Sequence, residues 1–210
     1  MTESKVDLSS PHLSRARRLF IRYFDPDGKG FDGFQDPRYL EQERNYKVTT
    51  AELAARLLSE PELRALVDAG NAEEVLQRAR QVGQKSNLLY LAVPQTGDLA
   101  PLLRPLEPAP RLSLARGILE LLHGAEAVAE RVDRFLALLT SLGLPAHWQL
   151  FSYLLFFVHP GEEVFIKPTA IGRALELLGA PVELAEAPSG RVYERVRSIA
   201  RTLRQELADW

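Results

Sequence analysis

Asp25, Asp27, Lys29, Gly30 and Asp36 stand at positions 1, 3, 5, 6 and 12 of the stretch DPDGKGFDGFQD. That is the spacing with which a helix–loop–helix calcium site wraps carboxylates and a glycine turn around one cation. Three residue types oppose it. Lys29 puts an ammonium on a ligand position, Asp36 stands where a longer glutamate normally gives a bidentate grip, and Asp32 replaces an apolar packing residue. Pro37 follows at once, and no second loop of this kind occurs in the chain. The stretch reads as a glycine-rich surface loop that does not bind calcium.

The loop runs into a denser constellation, FDGFQDPRYLEQERNYK, residues 31 to 47. Arg38, Tyr39, Arg44, Tyr46 and Lys47 alternate cationic and aromatic groups, a mixture that stacks bases or grips a protein partner. On a helix, Arg38 with Glu41 and Glu43 with Lys47 would also make ordinary surface ion pairs.

Further on, FIKPTAIGRA places Lys167, Thr169 and Arg173 around an expected helix start. Free backbone N–H groups and a nearby ammonium there would suit an anion, such as a phosphorylated small molecule. No glycine-rich loop precedes this segment, which excludes a Walker-type nucleotide site. Arginines also line the last helical stripe (Arg191, Arg195, Arg197, Arg201, Arg204) and the first (Arg15, Arg18, Arg22). They read as solvated side chains lying over apolar faces, or as a local basic patch if the two helices lie side by side.

The four histidines, at 12, 123, 147 and 159, lack metal-binding spacing. His159 near Glu162 and Glu163 is the one metal-like cluster, but it sits at a turn, and no metal or cofactor is expected. No catalytic motif, nucleophile elbow or dinucleotide fingerprint is present, and catalytic residues are not assigned.

Composition sets the frame. The chain has 210 residues, 46% hydrophobic and 26% charged, with a formal net charge of -2 and a pI near 6.1. No global field draws it to nucleic acid or an anionic membrane, so any such site must be local. Without cysteine there is no disulfide, thiolate nucleophile or thiolate metal site. The polar N-terminus lacks a secretory core, and the most apolar window, LFSYLLFFV, is too short to span a bilayer. A cytoplasmic protein without membrane contact is expected. Its 21 arginines to five lysines suit a GC-rich, thermophilic source.

The elements that must position these groups are helices. Ser10–Pro11 starts a first one ending near Phe24, and Asp36–Pro37 starts a second. Thr49 with Glu52, Ser59 with Glu62 and Asn71 with Glu74 each form a capping box, predicting helices over 50–58, 60–69 and 72–83. Five prolines between 87 and 110 mark a packed connection. Beyond it, helices are predicted from Leu112 to His123, over Val128 to Leu142, from Pro145 to Val158, from Pro168 to Leu178, and after Ser189–Gly190. Glu163 to Ile166 suits a short strand or extended segment.

The segments GFxDPRYLExERxYK and FIKPTAIGRA, with NLLY at 87–90 between them, resemble a family of uncharacterised bacterial proteins marked by an FLKPTVTKRAAE-type segment. The resemblance implies a shared fold and carries no catalytic residue or cofactor. Gly172 departs from it, standing where a second basic residue is expected.

The sequence therefore predicts a mainly α, compact multi-helix domain with a C-terminal helical bundle and at most one short strand or hairpin. One domain over 1–210 is expected, divisible into 1–86, a connection over 87–110, and 111–210. The expected function is an accessory protein that binds a protein partner or nucleic acid through the aromatic and arginine surface. The alternative is an enzyme or binding protein for a phosphorylated compound at Lys167 and Arg173.

Overall fold

The computed structural model describes residues 11–91, 97–184 and 187–208. Ser10, the expected first cap, and Pro94 lie outside them. Helix α1 is Pro11–Phe24, and a 3₁₀ turn, Gly33–Gln35, follows the glycine-rich loop. The remaining helices are α2 Pro37–Tyr39, α3 Asn45–Leu57, α4 Glu60–Asp68, α5 Ala72–Lys85, α6 Ala100–Leu103, α7 Pro108–His123, α8 Val128–Ser141, α9 Trp148–Val158, α10 Pro168–Leu177 and α11 Gly190–Glu206. The fold is mainly α, and the described residues contain no strand.

Three predicted helix starts are corrected. Thr49 does not open a helix, because α2 continues into α3 through a π-helical turn, Leu40–Arg44. Asp36 starts the run by accepting from the Arg38 N–H at 2.9 Å, and no glycine or proline interrupts residues 38–57. The hydroxyls of Thr49 and Thr50 instead donate to the Tyr46 carbonyl inside the helix. Asn71 does cap α5, accepting from the Glu74 N–H at 3.4 Å. Ser59 takes the extended N-cap backbone of α4 without a side-chain cap bond. Helix α7 begins at Pro108, earlier than the expected Leu112, and α9 begins at Trp148, later than Pro145.

Helix α9 is apolar on nearly every side and occupies the centre. Leu150, Phe151, Tyr153, Leu154, Leu155 and Phe157 are all buried, with α3, α5 and α7 packed around them. One continuous buried cluster runs from Ala54 in α3 to Ile199 in α11. Leu99 and Leu102 carry the proline-rich connection into the same core. A second, small cluster seats α1: Leu13 meets Leu178, with Ala16, Leu203 and Leu207 around them.

Residues 163–166 form no strand, and two of their N–H groups are satisfied by side chains. Tyr193 accepts from the Val164 N–H at 3.3 Å, and Ser152 from the Ile166 N–H at 3.0 Å. Ser152 is wholly buried and donates its own hydroxyl to the Trp148 carbonyl. Among the described residues no helix is long and apolar enough to cross a membrane.

Candidate functional site

The loop with calcium spacing is built around a cation of its own. Asp25 and Asp36 are buried, and Arg38 reaches both, with Nη1 2.8 Å from Asp25 and Nη2 2.6 Å from Asp36. The same guanidinium donates to the Gly30 carbonyl. Backbone N–H groups of Lys29 and Gly30 close on Asp25 at 2.9 Å each. Gly28 and Gly30 adopt positive φ, which lets the loop curl this tightly. Arg38 hydrogen bonds and backbone N–H donors hold the Asp36 carboxyl well below the ordinary range. For Asp25, burial opposes ionisation, but Arg38 and the Lys29 and Gly30 N–H groups more than offset it. Lys29 itself points outward, pairing with Asp27 at the surface.

The residues expected to form a partner surface divide accordingly. Arg38 is committed to the two aspartates. Tyr39 packs inward against Phe20, Phe24 and Phe34, with ring centroids 5.4 to 5.8 Å apart. Those rings with Phe31 form an aromatic cluster binding α1 to the loop. Tyr46 is half-buried; burial, with Glu43 beside it, pushes its hydroxyl well above the usual range. Lys47 Nζ pairs with Glu43 at 2.6 Å and lies over the Tyr46 ring. Arg44 is exposed. The alternation of types along 38–47 thus does not become one continuous outward face.

Lys167 is the N-cap of α10 and makes no side-chain cap bond. Lys167, Thr169 and Arg173 are all exposed. Of the arginines on α11, Arg191, Arg195, Arg201 and Arg204 are exposed, and Arg204 donates to the Gly161 and Glu163 carbonyls. Arg197 is the exception, with 14% of its side chain exposed.

Arg197 belongs to the wall of a cleft of about 540 Å³, between the C-terminal ends of α7 and α9, the N-terminal ends of α4 and α8, and α11. Its guanidinium meets Glu163 at 3.0 Å, Glu194 at 3.1 Å and Glu162 at 3.7 Å. Burial works against this cation, and Glu163 and Glu194 outweigh burial to keep it charged above its usual range. Glu163 is itself buried and accepts from the Tyr193 hydroxyl at 3.0 Å. Burial, then the adjacent Glu163, raises the Tyr193 hydroxyl well above the ordinary range, so it acts as a neutral donor.

Two histidines form the floor. His123 Nε2 lies 2.8 Å from the Leu58 carbonyl, and His159 Nε2 lies 2.9 Å from the Leu122 carbonyl. A carbonyl only accepts, so both Nε2 atoms carry a proton, and Nδ1 is the nitrogen that keeps a lone pair in a neutral imidazole. The rings meet edge to face, centroids 5.8 Å apart. Burial lowers the pKa of His123, which favours that neutral form. Comparison with family models, curated proteins and solved structures finds no match to this chain.

Arg131 spends Nε on the Glu126 carbonyl and Nη1 on the Leu121 carbonyl, closing the end of α7. Glu60 is tied to Arg64 at 2.6 Å. No group of three or more candidate metal ligands gathers among the described residues. None of the lining residues comes from 167–174, so Lys167 and Arg173 take no part in this concavity. The sequence marks part of this cleft, His159 with Glu162 and Glu163, as a metal-like cluster, and Arg197 as one arginine of the last stripe, but does not bring them together. A further signal is the placement of His123 and His159 at predicted helix ends, where an imidazole N–H can serve the carbonyls a terminus leaves unpaired.

Proposed function

We propose that the chain is a binding protein for a small organic cation, an ammonium or guanidinium compound, received in the cleft at Arg197. One observation carries the reading: a single guanidinium faces three carboxylates there, leaving the wall with surplus negative charge. Glu162 and Glu194 keep much of their side chains open to the cleft while Glu163 is sealed behind them. The His123 Nδ1 atom adds a neutral acceptor, matching a donor-rich ligand. The first turn of α8, whose N-cap Ala127 brings no side-chain acceptor, offers backbone N–H groups to an acceptor at the ligand's far end.

The experiment is a thermal-shift titration with putrescine and free arginine, with inorganic phosphate as the anionic counter-probe. A ligand at 100 times its dissociation constant adds about 2.7 kcal/mol. In a chain of this size that raises Tm by roughly 5–10 °C. The rise is expected with the cations and lost in the double variant Glu162→Gln, Glu194→Gln. Indifference to every amine, or equal stabilisation by phosphate, refutes the reading.

A further inference from the structure

Helix α1 presents two faces, and only one is used by the fold. Leu13, Phe20 and Phe24 turn inward to the Leu178 cluster and the aromatic cluster, and Arg17 donates to the Glu206 carbonyl at 3.0 Å. The outward face carries Arg15, Arg18, Leu19, Arg22 and Tyr23, spaced as neighbours along one side of a helix. All five are exposed, Tyr23 to 70% and Leu19 to 46%. The helix sequence PHLSRARRLFIRYF contains no carboxylate. Three guanidinium groups therefore stand on a firmly seated helix without an acidic neighbour in their own element.

We infer that this face is a docking surface for single-stranded nucleic acid. Charge selects an anionic partner, and it acts locally despite the net charge of -2. Size selects a strand over a protein. From Arg15 to Tyr23 the stripe is about 12 Å long at 1.5 Å per residue, whereas a stable protein interface needs about 800 Å² on each side. A strand needs a short run of cations for successive phosphates and an exposed ring for an unstacked base. The arginines supply the first and Tyr23 the second, with Leu19 as apolar contact between them. The surface is the aromatic and arginine kind expected from the sequence, carried by α1 instead of residues 38–47. It is independent of the Arg197 cleft.

The test is fluorescence anisotropy of a labelled mixed-sequence single-stranded oligonucleotide at about 50 and 200 mM salt. Three neutralised phosphates give a logarithmic slope of about -2, so affinity should fall roughly 20-fold between the two salts. The triple variant Arg15→Gln, Arg18→Gln, Arg22→Gln should flatten that slope. Tyr23→Ala should weaken binding at least about fivefold while leaving the slope in place. These side chains are exposed, so an unchanged circular dichroism spectrum and Tm certify that each variant is folded. Absence of saturable binding at low salt overturns the inference, as does binding that the triple variant retains. Equal affinity for a duplex with Tyr23→Ala silent overturns the single-stranded assignment, as does binding to anionic lipid vesicles but not to the oligonucleotide.

Discussion

Gly190→Ala is the sharpest test of the packing described above. Gly190 is the first residue of α11 and lies directly against α8. A Cβ added there would stand 1.9 Å from the Ala129 carbonyl oxygen, 2.6 Å from its carbon and 2.8 Å from its Cα. All three are backbone atoms, so no rotamer change relieves the clash. Restoring ordinary contact at 3.4 Å requires the two helices to part by roughly 1.5 Å. The same movement stretches the 2.6 Å hydrogen bond from the Gly190 N–H to Asp133, and it loosens Tyr193 and Val196 from the core. Overpacking of this kind costs about 1–3 kcal/mol, and loss of a hydrogen bond to a charged group about 1.5–3 kcal/mol. A destabilisation of about 3 kcal/mol or more is expected, equivalent to a Tm lower by roughly 6–12 °C. Urea denaturation followed by far-UV circular dichroism measures it. Gly172→Ala is the control, since it lies in α10 with nothing within 4 Å of the added atom. That change should be neutral or stabilise by up to about 1 kcal/mol. A Gly190→Ala protein within about 0.5 kcal/mol of the parent would refute the α8–α11 contact.

Ser152→Ala strips the buried Ile166 N–H of its acceptor and should cost about 1–3 kcal/mol in the same denaturation assay, whereas an exposed serine would be silent. Leu139→Ala, at a wholly buried position, should cost about 2–5 kcal/mol, and Phe156→Ala less than a fully buried phenylalanine because its ring is only partly covered. Millimolar calcium should leave Tm unchanged, because Arg38 already occupies the space between Asp25 and Asp36; a clear rise abolished by Asp25→Ala would show otherwise. Both carboxyls are held below their unfolded pKa, so their contribution is present above about pH 4 and is lost as pH falls below it. Arg38→Met should shallow that acid limb in a pH series of melts, and an unaltered limb would remove Arg38 from its cause. Protonation of His123 takes away an Nδ1 acceptor, and burial moves that protonation to the acid side of the ordinary histidine range, so cation binding in the cleft should weaken only there; a pH-independent titration would exclude His123.

Local signals in the chain were enough to define most helices and the core. Asp36–Pro37, Asn71 with Glu74, and Ser189 act within three or four residues on backbone N–H groups, so their effect is legible without neighbours. Gly143 and Gly179 end their helices at positive φ for an equally local reason. Apolar spacing likewise puts Val132, Phe135, Leu136 and Leu139 on one helix face, and that face is buried. Which neighbour meets a polar side chain is a different matter, because helical period fixes a direction from the axis and nothing about what lies there. Arg38 shares its sequence surroundings with Glu41, yet pairs with Asp25, 13 residues away across a turn that had to fold first. Arg197 has the same period as the exposed Arg201 and Arg204, but α9 ends where its turn brings Glu162 and Glu163 over Arg197. His123 finds its partner at Leu58, 65 residues away, because α7 packs against α4 and sets its last turn beside the end of α3. Charges meet through the docking of whole helices, and that docking is decided by the shapes of buried side chains on faces the charged residues do not share.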